Sequence, residues 1–318
     1  MDTKILKANP DGFAIASEIL KSGGLVAFPT ETVYGLGADA FNTKAVAKIY
    51  SAKKRPNFNP LIVHVIDLET AQKFVYLDAD ALLLANNFWP GPLTIVAPIR
   101  AGSNLSELIT AGLDTIAIRV PAHPVARKLL EIFNGPVAAP SANPSGSISP
   151  TNASHVKNGL NGRIHAILNG GKCNVGLEST IILSQNEECH LLRSGGIPEK
   201  NIEEILGYKL LSNKHPISPI SPGQLSSHYA PNAKLRMNAQ SASEDEYMIG
   251  FGHIIGQLNL SSKGDLTEAA SNLFSYLHMA DEDTLTLGKT KIAIAPIPMN
   301  GLGIAINDRL KRASSPRD

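Results

Sequence analysis

Two cysteines in 318 residues, Cys173 and Cys189, exclude a disulfide-dense scaffold. No second pair and no nearby His-x-x-x-His accompanies them, so a structural zinc is not expected and two free thiols in a reducing cytosol are. An excess of charge is lacking as well. Lysine and arginine total 29 against 28 acids, and a net charge of +1 offers no global attraction to nucleic acid or an anionic membrane, so any anion site has to be local. Aromatic residues make up 5% of the chain, too few for the stacking platforms of a single-strand binder. No stretch approaches ~18 uncharged apolar residues. Asn9-Pro10-Asp11-Gly12 stands where a signal peptide needs an apolar run, and a cytoplasmic protein off the membrane is the expectation. Standard motifs are missing too: there is no Gly-x-Gly-x-x-Gly after a strand and no His-Glu-x-x-His. Gly288-Lys289-Thr290 has Asp283 in the place of a P-loop's first glycine, and reads as a turn between helix and strand.

What is present is an alternation of helical and strand periodicities, the pattern of an α/β chain. An Asp11-capped helix to about Lys21, closed by Gly23-Gly24, leads into a strand from Leu25 to Phe28. Strands follow at 61–65, 93–99, 115–120, 137–139, 166–168, 179–183 and 190–192, with helices near 43–50, 78–88, 123–133 and 199–206. β-branched runs with proline ends suggest a twisted mixed sheet flanked by helices over residues 1–208. Periodicity lapses over 209–233, where Pro216, Pro219, Pro222, Gly223 and Pro231 mark an extended linker. Residues 234–318 then read as a small Rossmann-like α/β unit, with strands at 247–251 and 291–297 and helices at 267–279 and 303–311.

The chemistry concentrates in short clusters at strand ends, where loops carry sites. Phe28-Pro29-Thr30-Glu31-Thr32-Val33-Tyr34-Gly35-Leu36-Gly37 reads as a strand running into a loop dense in hydroxyls and glycine, which supplies neutral donors and close backbone approach. Between Asp39 and Asp67 every charged side chain is basic: Lys44, Lys48, Lys53, Lys54 and Arg55. Lys44 and Lys48 fit a solvated helix end. Lys53 and Arg55 alternate, and in an extended loop they would point to one side and could neutralise a triphosphate. Asn59-Pro60 leads into a strand bearing His64, which as a lone strand histidine also fits a satisfied core position. Arg119 closes its strand before Val120-Pro121, where a carboxylate would satisfy it. Pro140-Ser141-Ala142-Asn143-Pro144 is a rigid turn with neutral donors. Gly176-Leu177-Glu178-Ser179-Thr180 and Leu192-Arg193-Ser194-Gly195-Gly196 repeat the theme of hydroxyl, glycine and arginine.

In this order, these motifs resemble the threonylcarbamoyl-AMP synthase (YrdC-like) family over about residues 12 to 206. The motifs are Pro-Thr-Glu-Thr-x-Tyr-Gly-Leu, Lys-x-Arg-Pro before Asn-Pro-Leu-Ile-Val-His, Ile-Arg-Val-Pro, Pro-Ser-Ala-Asn, Ser-Thr-Ile and Arg-x-Gly. Ser221-Pro222-Gly223 to Ser227-His228-Tyr229-Ala230-Pro231 looks like the linker of its longer, two-domain form. The resemblance implies conversion of L-threonine, bicarbonate or CO2, and ATP into threonylcarbamoyl-AMP and pyrophosphate. The product is then passed to the transferase machinery that modifies tRNA beside the anticodon. By matching motif, Thr32, His64, Arg119 and Ser179 would hold threonine. Lys53, Arg55, Asn59, Thr115, Ser141, Asn143, Ser149, Arg193 and Tyr229 would surround ATP, with Lys53 and Arg55 the groups closest to catalysis. Mg2+ would arrive with ATP, and no residue is assigned as its ligand; Glu31 and Glu178 are the only acids in the clusters. A weak tRNA contact through the basic segment stays open. The contrasting readings are an RNA-binding module without catalysis, and a carbamoyl-transfer enzyme for another substrate. The linker, 213 to 231, is expected to fold back over the nucleotide pocket.

Overall fold

A computed structural model describes residues 2–56, 59–185, 188–212 and 228–315. The first unit runs β1 (Lys4–Lys7), α1 (Pro10–Lys21), β2 (Val26–Pro29), β3 (Tyr34–Asp39), α2 (Thr43–Lys53), β4 (Ile62–His64), α3 (Leu68–Gln72), α4 (Ala79–Phe88) and β5 (Leu93–Pro98). It continues with β6 (Thr115–Arg119), α5 (Pro124–Phe133), β7 (Val137–Ala138), α6 (Ala153–Leu160), β8 (Ala166–Asn169), β9 (Thr180–Gln185), β10 (Glu188–Arg193), α7 (Glu199–Leu206) and β11 (Leu211–Ser212). Among the described residues its strands form one eleven-stranded mixed sheet, ordered β1-β8-β2-β3-β7-β4-β6-β5-β9-β10-β11. The second unit comprises β12 (Lys234–Arg236), β13 (Glu246–Gly250), β14 (Leu258–Asn259), α8 (Leu266–Thr286), β15 (Lys291–Ile294) and α9 (Leu302–Ser314). Its sheet, β12-β15-β13-β14, is parallel throughout; α8 carries the connection from β14 to β15, whereas β12 to β13 and β13 to β14 are joined without a helix.

Helix starts follow capping chemistry. Asn9, Asn42, Asp67, Asp78, Asn152 and Asp265 each accept a first-turn amide proton, and Pro10 and Pro124 occupy first-turn positions that need no donor. The large sheet is buried on both faces. One face packs around Leu36, Ile49, Leu84, Ile118 and Val156, and the other seats α1 and α5 through Phe13, Leu20, Leu129 and Phe133. Gly288-Lys289-Thr290 does form the turn between helix α8 and strand β15.

Four readings of the sequence need correction here. Asn9 rather than Asp11 caps α1, and Asp11 lies in its first turn. β11 pairs with β10, so the first sheet runs past residue 208 into the expected linker. Residues 34–37 are not loop: they belong to β3, which pairs antiparallel with β2 in a hairpin turned at 30–33. The glycines serve packing there, since a Cβ on Gly37 would lie 2.8 Å from Phe28 and 2.9 Å from Val137. Nor are Lys53 and Arg55 alternating residues of an extended loop. Lys53 closes α2, and Lys54 caps it in the left-handed region with φ 53°, which sends the two flanking side chains to different partners.

The two units share an apolar core. Val33, Ile148 and Leu177 of the first pack with Leu273, Phe274 and Ile306 of the second, and Tyr229 lies in the same cluster. Most of the expected strap, residues 213–227, lies outside the described residues. Beyond it, Ala230 N–H donates to Gly146 O at 2.9 Å and His228 N–H to Arg312 O at 3.3 Å. The chain therefore enters the second unit along the 146–147 turn.

Candidate active site

Backbone ends from across the large sheet converge on one cavity. It is lined by Thr30, Thr32 and Val33 from the β2–β3 turn, Gly35 of β3, Arg55, Ile62 and His64 of β4, and Arg119 at the end of β6. Ala139, Pro140, Ser141, Glu178, Ser179, Arg193 at the end of β10, His228 and Tyr229 complete the wall. β4 and β6 run parallel with His64 opposite Arg119, so both functional side chains leave the sheet at the same edge.

Arg119 is buried and uses every nitrogen. Nη2 meets Glu31 Oε1 at 2.6 Å, Nη1 donates to Thr32 Oγ1 at 3.0 Å, and Nε donates to Gly91 O at 3.2 Å. Burial alone would raise the Glu31 carboxyl, but the Arg119 guanidinium outweighs it and holds the group below its ordinary value, as an anion. Thr30 Oγ1 shares a 2.8 Å hydrogen bond with Thr32 and closes the turn by donating to Val33 O. Arg193 donates from Nε and Nη2 to Ser179 O and from Nη2 to Ser179 Oγ, whose hydroxyl also meets Thr94 at 2.7 Å. Arg55 holds Asn59 Oδ1 at 2.6 Å and Pro60 O at 2.9 Å. Burial pushes this guanidinium down to about 10, so it remains charged at neutral pH.

Lys53 sits one layer behind the wall. Its Nζ donates to the carbonyls of Ser141 and Asn143, tying α2 to the turn that presents Ser141. Burial, and then Arg55 beside it, lower its affinity for the proton well below the usual lysine range. His64 is neutral for the same physical reason: burial and then Arg119 push it down to about 3. Its Nδ1 is buried with no partner among the described residues, as is Asn143 Oδ1. His228 is also held neutral, by burial and then by Arg55, Lys53, Arg193 and Arg309 around it. Among the described residues Arg55, Arg119 and Arg193 on the wall outnumber the acids Glu31 and Glu178 beside them, so the wall is cationic inside a nearly neutral protein.

Of the residues singled out from the sequence, Thr32, His64, Arg119, Ser179, Arg55, Ser141, Arg193 and Tyr229 reach the wall. Lys53, Asn59 and Ser149 lie one hydrogen bond behind it, Ser149 through a 2.5 Å bond to Glu178, and Asn143 is tied to Lys53 through its carbonyl. Thr115 is not brought there: it opens β6, roughly 13 Å of strand away from Arg119. Sequence reasoning left Glu31 and Glu178 without roles and missed Arg309, a residue of α9 whose Nε meets Glu178 Oε2 at 2.9 Å. No local pattern marks Arg309, because its partner lies in the other unit.

The family model described as "Telomere recombination" matches residues 18–195, and the one described as "Threonylcarbamoyl-AMP synthase, C-terminal domain" matches residues 197–315. The chain belongs to the threonylcarbamoyl-AMP synthase family. Members similar to it include the threonylcarbamoyl-AMP synthase of Bacillus subtilis (strain 168), 40% identical with 99% of this chain and 96% of that one covered. The threonylcarbamoyl-AMP synthase of Pyrococcus abyssi (strain GE5 / Orsay) is 38% identical, covering 95% and 94%. The crystal structure of P. abyssi Sua5 complexed with L-threonine matches with a TM-score of 0.89 at 35% identity, covering 99% of this chain and 98% of that one. The family's two-domain form is thus matched from end to end. E. coli YciO, at TM-score 0.55 and 23% identity over 61% of this chain, shares the fold alone.

Proposed function

We propose that this protein joins L-threonine, bicarbonate or CO2, and ATP into L-threonylcarbamoyladenylate, releasing pyrophosphate. The observation that carries the reading is the wall itself: buried arginines 55, 119 and 193 converge with neutral hydroxyls and a neutral His64 on one cavity. A triphosphate carrying about four negative charges needs that cationic lining more than it needs a nucleophile. An RNA-only reading has no support in it, because these cations are buried rather than spread along an accessible stripe.

In the proposed chemistry the threonine amine attacks CO2, a C–N bond forms and a proton is lost, giving a carbamate. A carbamate oxygen then attacks the α-phosphorus, a new P–O bond forms, and the bond to the β-phosphate oxygen breaks as pyrophosphate leaves. The chain's residues bind and orient. Arg119, steered by Glu31, takes the threonine carboxylate. His64 Nδ1, an unpartnered acceptor or donor according to tautomer, meets a polar group of the amino acid. Arg55 and Arg193 face the phosphates, and Tyr229 and His228 close the wall against water, in which a carbamate decomposes.

Among the described residues no group of three or more His, Cys, Asp or Glu lies close enough to hold a metal ion. Glu31 and Glu178 are each committed to a guanidinium. The donor set does not fit a resident magnesium, and Mg2+ belongs in this reading to the phosphates of ATP, as part of the substrate. Transfer of the labile product to a separate tRNA-modifying transferase, in the cytoplasm, completes the proposal; no helix among the described residues is long and apolar enough to cross a membrane. The test is pyrophosphate release from ATP and bicarbonate with and without L-threonine. Release that does not depend on threonine would refute the reading.

A further inference from the structure

Arg309 belongs to α9 of the second unit, yet it is completely buried and reaches the back of the catalytic cavity. Its Nε meets Glu178 Oε2 at 2.9 Å, its Nη1 meets Asp308 Oδ2 at 2.7 Å, and its guanidinium carbon lies 5.3 Å from the Tyr229 ring centroid. Both partners across the domain boundary, Glu178 and Tyr229, line the cavity. The other Glu178 oxygen accepts from Ser149 Oγ. Arg309 Nη2 is buried without a partner among the described residues.

Glu178 poses an electrostatic problem that Arg193 eases through space and that the second unit answers by direct contact. A buried carboxylate on the wall of a polyanion site repels the ligand unless a cation cancels it. Arg193 on the wall is engaged with Ser179, whereas Arg309 touches Glu178 directly and from behind, where it takes no space from a ligand. The same guanidinium lies over the Tyr229 ring, so it positions the aromatic part of the wall as well.

We propose that Arg309 is a positioning residue for the nucleotide: the C-terminal unit completes the catalytic cavity by cancelling Glu178 and fixing Tyr229 through this one side chain. The proposal rests on the reading of the cavity as an ATP site. It makes ATP affinity a function of how α9 docks, and it leaves threonine, bound at the Arg119 end, largely indifferent.

Full-length wild type, Arg309→Met, Arg309→Lys, Glu178→Gln and the double variant Arg309→Met/Glu178→Gln are compared by calorimetry with ATP and with L-threonine, alongside thermal melting. Arg309→Met is expected to weaken ATP by about 10- to 100-fold while threonine affinity changes less than about 3-fold, because in the proposed reading an uncancelled buried carboxylate repels the polyanionic nucleotide far more than a zwitterionic amino acid. In turnover, KM for ATP rises and kcat at saturating ATP falls far less. Arg309→Lys retains part of the affinity. The double variant recovers most of the loss, since the orphaned carboxylate is gone. That recovery separates charge cancellation from loss of fold, which a second substitution would not repair. The inference is overturned if Arg309→Met binds ATP like wild type, or if both ligands weaken together and Glu178→Gln restores neither. If wild type itself binds threonine but no ATP, the ATP reading of the cavity fails, and this inference with it.

Discussion

Arg119 is the residue at which the structure most sharpens a sequence reading. A guanidinium closing a buried strand called for an anion, and the chain supplies one itself in Glu31, with Thr32 and Gly91 filling the remaining donors. In the proposed reading a substrate carboxylate would share a guanidinium that is already oriented, which favours geometry over raw charge. Arg119→Ala is expected to weaken L-threonine by about 30- to 100-fold while ATP changes only a few-fold, because the loss of a buried charged pair is worth about 2–3 kcal/mol. Calorimetry with each ligand decides it, and unchanged threonine affinity would remove Arg119 from the amino-acid site. Lys53 makes the complementary case. Its Nζ anchors the carbonyls of Ser141 and Asn143 rather than lining the cavity, so in the proposed reading it would act on the nucleotide through the turn it holds. Lys53→Met should weaken ATP by about 10-fold or more and also lower the melting temperature, since two buried carbonyls lose their donor. Arg55→Ala should weaken ATP too, and equal loss of threonine in either variant would count against the placement. These residues were legible because rare combinations of hydroxyl, glycine and arginine recur at strand ends. Arg309 was not legible, because a single arginine on an amphipathic helix reads as a solvated face until its partner's position is known.

At the scale of elements, long periodic segments could be read from the sequence, and short ones at sheet edges could not. α1, α4, α5 and α7 fall within a residue or two of their expected spans, each marked by a cap or proline. β1, β12 and β14 are two to four residues long and carry no periodicity to detect. β3 was missed for a different reason: glycine normally marks loops, but here it admits close neighbours inside a buried hairpin. A Cβ at position 37 would meet Phe28 and Val137, both fully buried, and Val26 O at 3.2 Å. Gly37→Ala is therefore expected to cost about 1–3 kcal/mol, the range for overpacking a core, read as a lower urea midpoint at unchanged slope. Phe28 also stands edge-on to His64 with ring centroids 6.3 Å apart, so the variant's KM for threonine should rise as His64 is displaced. A stable Gly37→Ala protein with wild-type KM would mean that the hairpin has room the geometry denies.

For the whole molecule, the question is what holds the two units in the relation that puts Arg309 against Glu178. Part of the answer is apolar, in the shared core of Val33, Ile148, Leu177 and Phe274, and part is a pair of histidines. His155 of α6 and His278 of α8 stack across the boundary with centroids 3.8 Å apart and planes 22° from parallel. His278 Nε2 lies 3.2 Å from Ser149 O, while His155 is held by Thr151 and Asn152. Burial, then His278 and Lys172, push His155 down to about 3; burial pushes His278 down to about 4, opposed by the Ser149 carbonyl and Asp281. Once separated, both rings would titrate near 6.5. Above that pH neither state takes up protons and the docked form keeps its full stability. As the pH falls from 6.5 towards 4, separated rings bind protons that stacked rings refuse, and docking weakens. The expected loss across that window is on the order of 1–3 kcal/mol, discounted because His155 is not fully enclosed. His64 and His228 lose stability over the same window, so the interface share must be isolated by comparison. In a His155→Phe/His278→Phe variant the rings can still stack but cannot titrate. Its urea midpoint should fall less steeply than wild type between pH 6.5 and 4.5, and hydrogen exchange in α8 should lose its acid sensitivity while β5 is unchanged. Equal slopes in the two proteins would show that the stack is packing alone, and that acid acts on the cavity histidines instead.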